Sequence, residues 1–195
     1  MADEREIVKA DIREKKHASL DTIIKDAEKI PLSGEDLLRM TNHETKVMRY
    51  EELKHYDSLE SVLQPHGSVI LLYQTAEDFG HYSTLIDRGN RRLEFYDSYG
   101  FKPDEGLNHN NEFHLRIHGG RIVPHLHALI VSSGWLVEYN PVRLQKRLAD
   151  ENTCGRYAVL RIILKDDSLK TFNSLLTKNK HYDSDFWVSS LTIFL

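Results

Sequence analysis

The chain has 195 residues, of which 40% are hydrophobic and 29% charged, with a formal net charge of −4. This is the length of one domain, or of one domain with a small appendage, and enough to bury a core. The negative balance gives no electrostatic case for a dedicated nucleic-acid binder, no apolar run approaches the roughly 20 residues of a membrane span, and a single cysteine excludes an intramolecular disulfide framework.

The N-terminus, Met1-Ala2-Asp3-Glu4-Arg5-Glu6, is charged and lacks the apolar segment of a secretory signal. Residues 1–16 read as a frayed helix or a mobile arm. Ser19 is placed to cap a helix with Leu20, Ile23, Ile24 and Ala27 on one face, stopped by Pro31. Ser33 is placed to cap a second helix carrying Leu37, Leu38 and Met40. Asp57-Ser58-Leu59-Glu60 reads as a capping box for a third, ending near Gln64-Pro65.

Three strands follow. Val69 to Tyr73 is a continuous apolar run of buried-strand length. Tyr82–Asp87 and Arg92–Asp97 flank the turn Arg88-Gly89-Asn90 and form a hairpin. His81 starts one arm and Asp97 ends the other, so antiparallel pairing brings the two side by side. Residues 100–120 read as irregular structure, and Arg121–Val131 and Trp135–Tyr139 as further strands. Cys154–Leu164 is a core helix. Ser168 is placed to cap the next helix (Leu169, Phe172, Leu175, Leu176), and Asp183 or Ser184 opens a last one (Trp187, Val188, Leu191, Phe194). Helices around a hairpin-centred, mostly antiparallel or mixed sheet make the expected class α+β.

The sole cysteine, Cys154, stands in Asn152-Thr153-Cys154-Gly155-Arg156-Tyr157 at the start of the core helix. A thiol becomes a good nucleophile as thiolate, which a helix N-terminus and a neighbouring imidazolium both favour. His81 is the expected general base and acid. Asp97 is the expected partner that orients the imidazole. Gly155 lets a substrate carbonyl approach the backbone. The Cys154 N–H is one donor to an oxyanion. Gln145, nine residues earlier, is the expected second donor, with Asn140 a competing candidate.

The order His, Asp, Gln, Cys-Gly resembles that of adenain and Ulp-type cysteine peptidases. Gly80-His81-Tyr82 is similar to the family's Gly-His-Trp segment, with Tyr82 in place of Trp. Tyr96-Asp97-Ser98-Tyr99-Gly100 is similar to its Asp-Ser strand end, and closest to the viral members. Thr153-Cys154-Gly155 matches its nucleophile motif. The resemblance covers residues 65–165, within a single protease domain spanning 1–195. It implies a papain-like arrangement in permuted order. It also implies an endopeptidase that cuts viral structural or precursor proteins at small-residue, Gly-containing sites during capsid maturation, in the virion and the host-cell interior. A protein substrate and a monomer are expected, with an activating peptide or nucleic acid left open. Having no second thiol, the chain offers no disulfide to such a peptide. Rival readings with the same site are a deconjugating isopeptidase for ubiquitin-like proteins and an acyltransferase. A third is a catalytically silent scaffold.

The eleven histidines form no His-Glu-x-x-His motif, and no cysteine pair exists for zinc, so neither a metal nor another cofactor is expected. Arg143, Lys146, Arg147, Arg156 and Arg161 lie near the cysteine in sequence and read as a solvated, substrate-side face. Trp135 and Trp187 read as core residues, and Tyr82, Tyr99 and Phe101 as packing or the lining of a substrate groove.

Overall fold

In the computed structural model, which describes residues 19–77, 79–109, 123–148 and 151–195, the apolar run at Val69 lies in the second strand of a five-stranded mixed sheet. The strands are β1 (Lys46–Arg49), β2 (Ser68–Ala76), β3 (Phe79–Asp87), β4 (Arg92–Asp97) and β5 (Leu136–Tyr139), in that spatial order. β2, β3 and β4 pair antiparallel, while β1 and β5 add in parallel at the two edges. Helices flank the sheet, so the expected α+β class holds.

The helices are α1 (residues 19–28), α2 (Gly34–Met40), α3 (Leu59–Leu63), α4 (Gly106–His109), α5 (His125–Ser133), α6 (Cys154–Ile163), α7 (Leu169–Thr177) and α8 (Ser184–Thr192). A 3-10 turn, Tyr50–His55, follows β1. Successive β2 side chains point to opposite faces of the sheet. Val69, Leu71 and Tyr73 meet Leu59, Val62, Leu126 and Leu129 of α3 and α5. Ile70 and Leu72 meet Leu37 of α2 and Ala158, Val159 and Ile162 of α6. A continuous apolar run is what a strand covered on both faces requires. A third cluster joins Tyr157 and Leu160 of α6 to Phe172, Leu176 and Val188 of α7 and α8.

Several expectations change. Arg121–Val131 is not a strand: within its described part, His125–Ser133 is a helix. Pro124 precedes this helix, and Gly134, at φ 65°, ends it by donating to Ile130 O. A proline at the start and a left-handed glycine at the end form a helix frame. β1 was not expected, because Lys46 and Arg49 interrupt its short apolar pattern. In residues 100–120, Gly106–His109 is helical. The expected arm at 1–16 lies outside the described residues. On α1, Ile24 and Ala27 are buried but Ile23 is half exposed. Ser33, Ser58, Ser168 and Asp183 cap their helices.

The basic residues near the cysteine do not form one solvated face. Arg161 is fully buried and donates to Glu94 Oε1 at 2.6 Å. Arg156 is buried against Ala27 O and the Thr192 hydroxyl. Arg143, Lys146 and Arg147 remain exposed.

Candidate active site

The β3–β4 hairpin pairs Ser83 with Asp97, which places His81 two residues beyond the pairing, on the same face of β3 as Ser83. His81 Nε2 lies 2.8 Å from Asp97 Oδ2. The same oxygen accepts the Ser83 hydroxyl at 2.7 Å, and Asp97 Oδ1 accepts the Tyr99 N–H at 2.8 Å. Asp97 is buried. Burial alone pushes its pKa up, but the His81 charge and the hydrogen bonds from His81, Ser83 and Tyr99 outweigh it and hold the carboxyl below its ordinary value. An ionised Asp97 can only accept, so His81 donates from Nε2.

That bond leaves Nδ1 free of Asp97, and Cys154 lies close enough to interact with the imidazole. Burial disfavours the imidazolium. The charge and hydrogen bonds of Asp97 and Cys154 override this and raise the His81 pKa to about 10. Tyr99 stacks on the imidazole, with centroids 4.6 Å apart and planes inclined by 21°. Arg147 in turn lies over Tyr99 and Phe101, at 5.3 and 4.7 Å from the ring centres. One face of the histidine is thus covered by an aromatic ring that itself carries a cation.

Gly80 is demanded by the strand pairing. A Cβ there would stand 2.1 Å from Tyr73 O and 2.8 Å from Gln74 Cα, where β2 and β3 approach beside an irregularity in register. The glycine before His81 therefore lets the strand end close down. Tyr82 is buried and joins the α2–α6 cluster.

Cys154 is the first residue of α6 and is partly buried. Its approach segment is clamped to the end of α1: the Asn152 N–H donates to Glu28 O at 2.8 Å and its side-chain amide to Lys29 O at 2.9 Å. A narrow crevice beside the sulfur is lined by Pro31, Leu32, Phe79, Gly80, Tyr82, Asn152 and Gly155. Gly155 makes room for packing: a Cβ would meet Leu32 Cβ at 3.2 Å and Leu37 Cδ2 at 3.3 Å.

Gln145 is buried and tied to the residue after Asp97. Its N–H donates to Ser98 O at 2.9 Å, and its side-chain oxygen accepts the Ser98 hydroxyl at 2.7 Å. This fixes the carbonyl end of the side chain and leaves the amide N–H end as its donor. Asn140 is used differently. Its amide donates to Asp97 O and Val142 O at 2.9 and 2.8 Å, and its oxygen accepts from the Val142 N–H and the Asn173 amide. Asn140 is a bracket that holds the end of β4 to the following loop, with no donor left for an oxyanion.

His81, Asp97 and Cys154 therefore come together, and Gln145 sits on the strand end that carries Asp97. Sequence reading missed Ser83, although its place two residues from His81 on one strand puts both on the same face. It also missed Asp185, which is buried, accepts the Thr153 hydroxyl at 2.6 Å and the Lys146 N–H at 3.0 Å, and carries no signal in the linear sequence. Among the described residues no group of three or more His, Cys, Asp or Glu is placed to hold a metal ion, and no helix is long and apolar enough to cross a membrane.

No family model matches the chain. It is 35% identical over 138 residues to the uncharacterized protein V9 of Sputnik virophage, an alignment covering 71% of this chain and 78% of that protein.

Proposed function

The chain belongs to the same family of viral proteins as the Sputnik virophage protein V9, and from that premise we propose that it is a cysteine endopeptidase that cuts viral structural precursors during virion maturation. The observation that carries this reading is the hydrogen-bonded, buried Asp97–His81 pair beside Cys154 at the start of α6. An acid, a base and a nucleophile gathered in that order, the last at a helix N-terminus, form the arrangement that acyl transfer needs. The resemblance of these segments to adenain and Ulp-type peptidases adds to it.

In this mechanism His81 already holds the proton that Cys154 has given up, and the thiolate attacks the scissile carbonyl carbon. The new C–S bond leaves an oxyanion, which takes hydrogen bonds from the Cys154 N–H and the Gln145 amide. Collapse breaks the C–N bond as His81 passes its proton to the departing amine. A water, giving its proton to His81, then attacks the thioester carbon. The C–S bond breaks, the thiolate returns beside the protonated His81, and the acyl product leaves as a carboxylate, its proton passing to water. Asp97 keeps the imidazole oriented and supports its positive charge throughout. The narrow crevice between Leu32, Tyr82 and Gly155 suits a slender chain with small side chains next to the cut bond, in keeping with Gly-containing sites.

The test is incubation of the purified chain with viral structural proteins and with Gly-containing peptides, read by mass spectrometry. Cleavage at small-residue sites that disappears in Cys154→Ala supports the reading. Cleavage that survives in Cys154→Ala, or acyl transfer to an amine without hydrolysis, overturns it.

A further inference from the structure

Among the described residues, four helices begin with a side chain that caps them. Ser33 accepts from the Asp36 N–H, Ser58 from Ser61, Ser168 from Thr171 and Asp183 from Phe186, each from an extended backbone. Thr153, ahead of α6, has a helical backbone (φ −89°, ψ −7°), and its side chain caps nothing. Its hydroxyl donates to Asp185 Oδ1 at 2.6 Å. The first backbone hydrogen bond of α6 comes from the Tyr157 N–H to Thr153 O, so the N–H groups of the opening turn are left uncapped at the nucleophile.

Asp185 has no solvent exposure. It lies in the first turn of α8; burial and the Asp183 charge raise its pKa, and the hydrogen bonds from Thr153 and Lys146 oppose that rise. Its second oxygen accepts the N–H of Lys146, the residue after Gln145, at 3.0 Å. The Lys146 ammonium also pairs with Asp183, the cap of the same helix. One buried carboxylate thus holds the residue before Cys154 and the residue after Gln145.

We propose that Asp185 is a positioning residue for the Cys154 site, tying the Thr153 side chain and the backbone after Gln145 to one carboxyl, so that the Cys154 N–H and the Gln145 amide keep their spacing about an oxyanion. The inference rests on the reading of Cys154 as a nucleophile. Asp185 acts only through Thr153 and Lys146. Without it the segments that carry Cys154 and Gln145 each lose an anchor and their separation is no longer fixed.

Two probes on the full chain separate this role from a merely structural one. Iodoacetamide alkylates the sulfur with loss of iodide and builds no oxyanion. N-acetylglycinal adds the Cys154 sulfur to its aldehyde carbon, and the thiol proton passes through His81 to the aldehyde oxygen, which occupies the oxyanion position in the thiohemiacetal. Because Cys154 is the only thiol, protection from iodoacetamide reports aldehyde binding directly. In Asp185→Ala, alkylation without aldehyde should stay within about twofold of wild type, while protection weakens by about tenfold or more, toward the roughly 100-fold cost of deleting an oxyanion donor. Thr153→Val alone removes one of the two anchors and should show a smaller loss in the same direction. Asp185→Asn keeps an acceptor for Thr153 but turns an N–H toward Lys146, so it should show a smaller loss in the same direction. It decides the matter if Asp185→Ala does not fold. Protection equal to wild type in a folded Asp185 variant overturns the proposal. So does a parallel fall of alkylation and protection. A wild type that glycinal does not protect overturns the nucleophile reading itself, and this inference with it.

Discussion

Ser83 donates its hydroxyl to Asp97 at 2.7 Å, on the same carboxylate oxygen that His81 binds. In a buried setting, a hydrogen bond to a charged acceptor contributes about 1.5–3 kcal/mol. Ser83→Ala should therefore lower stability by about that amount and loosen the hold of Asp97 on the imidazole. Urea unfolding of the variant checks this, and a midpoint and slope equal to wild type contradict it.

The His81–Asp97 pair also sets a pH window. The His81 pKa is raised from 6.5 to about 10, so its contribution to stability is fully present below the ordinary histidine value and is lost as pH rises through about 10. Asp97 is held below its ordinary value, so its contribution is present above the ordinary carboxyl range and is lost as pH falls through its lowered pKa. The pair should persist across neutral pH. Histidine NMR, with His81 assigned by substitution, should find its ring doubly protonated at pH 8, and Asp97→Asn should bring its titration down. A neutral His81 ring in the wild type at pH 8 contradicts the account.

The two glycines of the motifs should respond differently to alanine. At Gly80 the added Cβ runs into backbone at 2.1 Å, whereas at Gly155 it meets the side chains of Leu32 and Leu37 at 3.2 and 3.3 Å. Backbone cannot step aside as a side chain can. Gly80→Ala should cost more than the about 1–3 kcal/mol usual for overpacking and spread the strand end that carries His81, while Gly155→Ala should fall at or below that range. Melting temperatures of the two variants rank them, and equal losses contradict the assignment.

Gln145 and Asn140 separate in the same way. Every polar atom of the Asn140 side chain is engaged in bracing, so Asn140→Ala should chiefly reduce stability. The carbonyl end of Gln145 is fixed by Ser98, so Gln145→Ala should chiefly reduce turnover, by about 100-fold or more if it donates to the oxyanion. Peptidase kinetics beside unfolding curves test the pair, and a Gln145→Ala chain that turns over normally contradicts an oxyanion role for Gln145.

The hairpin was legible in the sequence because its parts are local: a Gly-Asn turn between two short arms, and His81 and Asp97 at the ends that antiparallel pairing must join. The Cys154 helix was legible from the apolar run that follows the cysteine. α5 was misread because Val and Ile near a short run suggest a strand, although Pro124 and Gly134 framed a helix. β1 was hidden by its charged residues, since only its parallel pairing with β2 makes it a strand. The buried Arg161 and Asp185 could not be found by inspection. Their partners, Glu94 and Thr153, are far away along the chain, and a charged residue becomes internal only when the fold supplies such a partner.

The most direct test of the central claim is the rate at which iodoacetamide alkylates Cys154 from about pH 4 to about pH 9, in wild type and in His81→Ala. The account predicts fast labelling in the wild type that His81→Ala slows across the range, because the imidazole takes the thiol proton. Labelling at the same rate in the two chains contradicts an imidazole-activated nucleophile.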